Sequence, residues 1–148
     1  MENNIIEILL VEDNLNDVEL TLRALKKFNI ANNIFVVHDG AEALDYIFLK
    51  GKYANRINDT KLKVIFLDLK LPKVSGLEVL QELKKHNETK KIPIVVLTSS
   101  KLEPDIDKCY ELGVNSYVVK PVDFDNFMES IRQLGLYWLL INEPPKLK

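Results

Sequence analysis

The chain has 148 residues, one domain's worth, and 47% apolar with 28% charged residues is the balance of a soluble globular protein with a proper core. A net charge of −2 gives no bulk attraction to nucleic acid or to a membrane surface, and the single cysteine, Cys109, excludes an internal disulfide and a thiol-pair metal site. No basic-then-apolar leader opens the sequence, and no apolar run reaches the ~20 residues that span a bilayer; the expected compartment is the cytoplasm.

The first element, Ile5 to Val11, is an apolar run that reads as a buried strand and ends in two acids, Glu12 and Asp13. Asn14 suits a helix N-cap, and Val18, Leu22 and Leu25 recur at helical spacing up to Phe28. Ile34 to Val37 is a short strand. Asp39 and Gly40 then start a helix with Ala43, Leu44, Ile47 and Phe48 on its apolar face, and Gly51 is the expected stop. Lys52 to Lys63 is polar and weakly patterned, which predicts a surface loop, long for its kind.

Val64-Ile65-Phe66-Leu67 is wholly apolar, the pattern of a strand buried on both faces at the centre of a parallel sheet, and it ends abruptly in Asp68 before Pro72 blocks regular structure. A helix is expected over about 77–85, then a strand over Ile92 to Leu97 with Pro93 near its start. That strand runs into Thr98, Ser99 and Ser100. Pro104 fits the first turn of a helix that Gly113 stops. Tyr117 to Val119 is the last strand, leading into Lys120 and Pro121, and Asp123 caps a final helix carrying Phe124, Phe127, Met128 and Ile131. The order βαβαβαβαβα, without repeats or linkers, predicts a doubly wound α/β fold: five parallel strands with five helices on both faces.

Parallel strands all direct their carboxyl ends to one edge, where open α/β sheets bind ligands. Sheet geometry therefore gathers Glu12, Asp13, Asp68, Thr98 and Lys120. Three close carboxylates raise one another's pKa unless a cation intervenes, and hard oxygens with an incomplete shell suit Mg²⁺. Lys120 and Thr98 are the groups to hold the oxygens of a phosphoryl group, and Asp68 is the nucleophile that could carry one as a mixed anhydride. The competing reading is a set of unrelated helix caps and a surface lysine.

These pieces resemble the receiver domains of two-component response regulators. The likeness rests on Leu10-Val11-Glu12-Asp13-Asn14, Asp39-Gly40-Ala41-Glu42-Ala43-Leu44, Asp68-Leu69-Lys70-Leu71-Pro72 followed by Gly76, Leu97-Thr98-Ser99, and the run from Gly113 to Pro121. It covers about residues 5–135 of a single domain spanning 1–148, with 136–148 as a C-terminal extension. The resemblance implies a flavodoxin-like sheet of order 2-1-3-4-5. It implies Asp68 as phospho-acceptor, Asp13 directly on Mg²⁺, Glu12 acting through water, and the backbone carbonyl of Lys70 completing the protein's ligands. Thr98 matches the switch hydroxyl, Lys120 the conserved-type lysine and Tyr117 the switch aromatic, swinging into space vacated by the loop after Thr98. The bond before Pro121 is implied to be cis. The partner implied is a sensor histidine kinase, and the only catalysis implied is self-directed phosphotransfer and dephosphorylation, with Lys70 and Ser100 as the side chains that gate the attacking water.

Two stretches depart from the commonest receiver pattern. The long polar stretch Gly51 to Lys63 resembles that of small single-domain regulators found beside phytochrome-like kinases. The run Leu134 to Ile141 is apolar all round apart from Gly135, so it asks for a second contact. Homodimerisation through Tyr137, Trp138 and Leu140 is one expectation, folding back over its own domain the other. The chain ends soon after the last helix, so no output domain is expected. Two other functions compete. A Mg²⁺-dependent phosphatase of the haloacid-dehalogenase type would need an aspartate where Lys70 stands. A degenerate receiver serving as a scaffold would not need the intact acids, hydroxyl and lysine.

Overall fold

The computed structural model describes residues 6–29, 33–56 and 62–146. Strands β1 (Ile8–Val11), β2 (Ile34–Val37), β3 (Val64–Leu67), β4 (Ile94–Thr98) and β5 (Ser116–Val119) alternate with helices α1 (Leu15–Lys27), α2 (Gly40–Phe48), α3 (Gly76–Lys85), α4 (Glu103–Glu111) and α5 (Phe124–Gly135). The strands form one parallel sheet in the order β2-β1-β3-β4-β5, as expected. Side-chain alternation divides each central strand between two cores. Leu9, Val11, Ile65, Leu67, Ile94 and Val96 face α2, α3 and α4, whereas Ile8, Leu10, Val64, Phe66, Val95 and Leu97 face α1 and α5. Burial on both faces is why β1, β3 and β4 read as unbroken apolar runs. Among the described residues no helix is long and apolar enough to cross a membrane.

Several boundaries move. β1 starts at Ile8, and Ile5 lies outside the described residues. β4 begins after Pro93 and includes Thr98. α2 ends before Gly51: Leu49 takes the left-handed conformation at φ 59°, and the Lys50 N–H closes onto the Asp45 carbonyl at 2.9 Å. Gly51 instead opens a short 3₁₀ turn, Gly51–Tyr53, inside the stretch expected to be a plain surface loop. That turn is packed. Tyr53 meets the stacked rings of Phe35 and Tyr46 edge-on and donates its hydroxyl to Glu42 at 2.6 Å. Arg56 lies 3.9 Å over the Tyr46 ring and donates to the Tyr46 carbonyl. Residues 57–61 of that stretch lie outside the described residues.

α5 does not stop at Gly135 but widens into a π-type continuation, Leu136–Ile141, closed by the Asn142 N–H on the Tyr137 carbonyl. Leu139 is buried, Leu134, Leu136 and Trp138 pack on the α1–α5 core, and Lys63 donates to the Leu139 carbonyl at 3.3 Å. The fold-back expectation therefore holds for these residues.

The loop from β3 to α3 carries the acidic centre's middle member, and two glycines hold it close. Ser75 caps α3 in a reciprocal box with Glu78, placing Gly76 against the end of β3. A Cβ at Gly76 would lie 2.2 Å from the Asp68 carbonyl, and one at Gly40 1.8 Å from that of Val74. Gly76→Ala gains helix propensity of about 1 kcal/mol but forces this backbone apart at greater cost. We expect a net loss of about 2–3 kcal/mol in urea-unfolding stability, against a negligible change for an exposed substitution such as Lys91→Ala.

Candidate functional site

The site is made by strand register. Val11 lies level with Leu67 across β1 and β3, so Glu12 and Asp68 leave the sheet side by side. Thr98 is paired with Val119 across β4 and β5, and the next residue, Lys120, donates its backbone N–H to the Thr98 carbonyl at 2.7 Å. Carboxylate oxygens of Glu12, Asp13 and Asp68 come within 4.8 Å of one another. Glu12 and Asp68 are buried, at 2% and 7% exposure, and Asp13 is exposed.

The Lys120 side chain, only 9% exposed, puts its ammonium among three acids: Glu12 at 2.6 Å, Asp17 at 2.8 Å and Asp68 at 3.1 Å. Asp17 is the member that sequence reasoning missed. Its place in the first turn of α1 already has an explanation, compensation of the helix dipole, so nothing local marked it for the site. Asn14, which caps α1, accepts from the Asp17 N–H and donates its own N–H to Glu12, joining the two acids through one turn.

The charges are unbalanced: one ammonium bonds Glu12, Asp17 and Asp68, and Asp13 adds a fourth carboxylate beside them. Burial pushes the Glu12 carboxyl up to about 7, with the charge of Asp68 adding to it and the bonds from Lys120 and Asn14 working against it. Lys120 is held above the ordinary lysine range, because the bonds to Asp17 and Glu12 outweigh the burial that opposes its charge. Hard oxygen donors with surplus negative charge and one open, exposed member fit a divalent cation.

Of the other expected residues, Lys70 is exposed, and its backbone N–H donates to Asp68 at 3.3 Å, so this backbone lies against the carboxylate. No acid stands at that position, as a haloacid-dehalogenase-type mechanism would need. Thr98 is fully buried, with its hydroxyl accepting a long bond of 3.5 Å from the Ser100 N–H. Ser100 links the site to two further elements. Its hydroxyl donates to Asp105 at 2.6 Å and accepts from the Leu102 N–H, standing in for the side-chain cap that α4 lacks, and its carbonyl accepts from the Tyr117 hydroxyl at 2.9 Å. Tyr117 is thus already tied to the loop after β4. The Lys120–Pro121 bond is trans, against the expectation of cis; trans is the ordinary isomer even before proline, and Lys120 reaches its carboxylates from it.

Tyr137, Trp138 and Leu140 form a separate region. Trp138 is half-buried against its own core, while Tyr137 (47%) and Leu140 (64%) are exposed. They adjoin a groove lined by Ser116, Val118, Gln133 and Leu134.

Comparison with known proteins agrees with this geometry. The family profile described as response regulator receiver domain matches residues 8–132. Response regulator Rcp1 of Synechocystis sp. is 37% identical over 132 residues, 89% of this chain and 88% of that protein; its Mn²⁺-bound crystal structure superposes with a TM-score of 0.88 over 95% of this chain and 99% of that one, at 35% identity. The phosphorylated cyanobacterial phytochrome response regulator RcpA gives a TM-score of 0.88 at 37% identity, over 95% and 98% of the two chains. The bacteriophytochrome response regulator AtBRR is 52% identical with a TM-score of 0.73, over 95% and 100%.

If the acidic cluster is a cation site, Asp13→Asn weakens Mn²⁺ binding by at least ~10-fold in a calorimetric titration, the scale on which metal sites respond to losing a positioned partner. Glu103→Gln, an equal charge change on α4, leaves the affinity unaltered.

Proposed function

The chain belongs to the response regulator receiver family, and on that premise we propose that Asp68 is its phospho-acceptor, served by the phosphohistidine of a phytochrome-like sensor histidine kinase. The observation that carries this reading is the Lys120 ammonium 3.1 Å from a buried Asp68, with Thr98 at the neighbouring strand end and the Glu12–Asp13 pair alongside. A response regulator works in two-component signalling, so the input is a kinase and the output a changed protein surface.

In the transfer, an Asp68 oxygen forms the new O–P bond while the N–P bond of the phosphohistidine breaks, its electron pair staying on the imidazole nitrogen. Lys120 neutralises charge on the transferring oxygens. Glu12, Asp13, Asp68 and the backbone carbonyl of Lys70 are the groups that would hold Mg²⁺, which would supply a second positive charge to those oxygens. Hydrolysis of the acyl phosphate returns Asp68 and inorganic phosphate, so no separate substrate is turned over.

The signal leaves through Thr98. Its hydroxyl donates to a phosphoryl oxygen in place of the long contact with Ser100, drawing the loop after β4 inward. Ser100 carries Tyr117 with it through the 2.9 Å hydrogen bond, and α4 through Leu102 and Asp105. A local charge change thereby biases the surface formed by α4, β5 and α5. Residues 1–148 act as a single cytoplasmic domain, with Leu136–Ile141 continuing α5.

The same reading includes a homodimer through the α5 continuation. Tyr137, Leu140 and Ile141 are exposed on the α5 continuation, and Tyr137 lines the β5–α5 groove, where the buried Ser116 hydroxyl has no hydrogen-bond partner among the described residues. A surface holding both the apolar projections and the groove can pair with itself about a two-fold axis.

Two measurements test this. With a small phosphodonor and Mg²⁺, intact-protein mass should rise by one phosphoryl group in the wild type and stay unchanged in Asp68→Asn. A wild type that gains nothing returns the scaffold reading, and label persisting in Asp68→Asn moves the acceptor elsewhere. In sedimentation velocity, the phosphorylated wild type should dimerise with rising concentration and a Tyr137→Ser, Leu140→Ser variant should remain monomeric; a wild type monomeric throughout removes the dimer.

A further inference from the structure

Lys120 is closer to two carboxylates that carry no phosphoryl group than to the one that does: Glu12 at 2.6 Å and Asp17 at 2.8 Å, against Asp68 at 3.1 Å. Glu12 belongs to the acidic set gathered for a cation, with Asp13 and Asp68; Asp17 lies outside that set. It faces the lysine.

Asp17 is also held in place. Its backbone N–H donates to the Asn14 side chain at 3.1 Å, and its carbonyl accepts from the buried Thr21 hydroxyl at 2.7 Å. With the backbone fixed at both ends, the carboxylate reaches Lys120 from the first turn of α1. Arg23 on the same helix pairs with Glu19 at 3.0 Å, so Lys120 is not one of several cations that α1 shares.

Resting on the receiver reading, we propose that Asp17 is a positioning residue that latches the Lys120 ammonium in the unphosphorylated protein and so restrains phosphorylation of Asp68. A phosphoryl group on Asp68 needs Lys120 on its own oxygens. A cation bound by Glu12 and Asp13 compensates the charge of Glu12, leaving Asp17 as the competitor for the ammonium. An ion pair that must loosen on the way to the transition state stabilises the ground state, and removing it raises the rate. The latch also makes α1 a participant in switching, since release of Lys120 frees the Asp17 end of the helix from β5.

The test compares wild type, Asp17→Asn, Asp17→Glu and Glu19→Gln. Initial rates of phosphorylation are measured by intact-protein mass with acetyl phosphate and Mg²⁺, and affinity for beryllofluoride, an unreactive phosphoryl mimic, by ¹⁹F NMR. Asp17→Asn should phosphorylate faster and bind beryllofluoride more tightly, each on the order of 5-fold, the reach of a partly exposed ion pair. Asp17→Glu, which keeps the carboxylate, should return towards the wild-type values. Glu19→Gln removes the same charge from an exposed position two residues away and should change neither value. Equal or slower phosphorylation of Asp17→Asn overturns the latch. So does an equal rise in Glu19→Gln, which would assign the effect to general repulsion of an anionic donor. A wild type that takes neither acetyl phosphate's phosphoryl group nor beryllofluoride overturns the receiver reading, and the latch with it.

Discussion

The site depends on one ammonium holding together carboxylates that the sheet forces into proximity. Glu12 follows β1, Asp68 follows β3 and Asp17 sits one turn into α1, and Lys120 at the end of β5 bonds to all three. Parallel strands send their carboxyl ends to one edge, and the register that sets Val11 level with Leu67 brings Glu12 and Asp68 out side by side. Buried carboxylates without a counter-charge would leave the charged form or the sheet edge disfavoured. The lysine makes the edge tolerable, but four acids to one base leaves an excess of negative charge. The protein has a strong folded scaffold under a centre that is electrostatically incomplete, and that incompleteness is what draws a cation.

The strand ends were legible in the sequence for a specific reason. A strand buried on both faces is an apolar run, and a run such as Val64–Leu67 that stops at Asp68 marks where the sheet ends and solvent begins. Parallel topology then places all such stops on one edge with no further information. Asp17 escaped because a carboxylate in the first turn of a helix is unremarkable by itself; only the turn made by Asn14 directs it toward Lys120. The end of α2 was misplaced because Gly51 is the residue type expected in a left-handed cap, while Leu49 takes that conformation two positions earlier. The close approach at Gly76 and Gly40 is a contact between segments distant in space from their sequence neighbours, and a glycine in a loop has many simpler explanations.

The two departures from the receiver pattern are both packed: the first against expectation, the second as the fold-back alternative had it. Polarity between Gly51 and Lys63 hides the edge-on contacts of Tyr53 with Phe35 and Tyr46, which join β2, α2 and the 3₁₀ turn. These rings come from three consecutive elements, and their stacked and edge-on pairing is specific geometry beyond mere burial. In the last apolar stretch the opposite happens. Uniform hydrophobicity from Leu136 to Ile141 conceals a division of labour in which Leu139 and Trp138 face their own core while Tyr137, Leu140 and Ile141 do not. Trp138 and Leu139 continue the inward stripe of Met128, Ile131 and Leu134 at helical spacing, so the division follows the face already set by α5.

Lys120 connects chemistry to surface because its two ends answer to different partners. Its ammonium bonds the acids, whereas its backbone N–H is bonded to the carbonyl of Thr98 at the end of β4. The acids are thereby tied to β5 through the lysine side chain and to β4 through the lysine backbone. These two strands meet again one layer out, where Tyr117 on β5 donates to the Ser100 carbonyl beyond β4. The bonds run from Asp68 through Lys120 to the Thr98 carbonyl, and from the Thr98 hydroxyl through Ser100 to Tyr117 and Asp105, so the acidic centre, β4, β5 and α4 share one chain of contacts. Under the proposed phosphorylation, that chain is the route by which a charge change at Asp68 would reach the α4–β5–α5 surface.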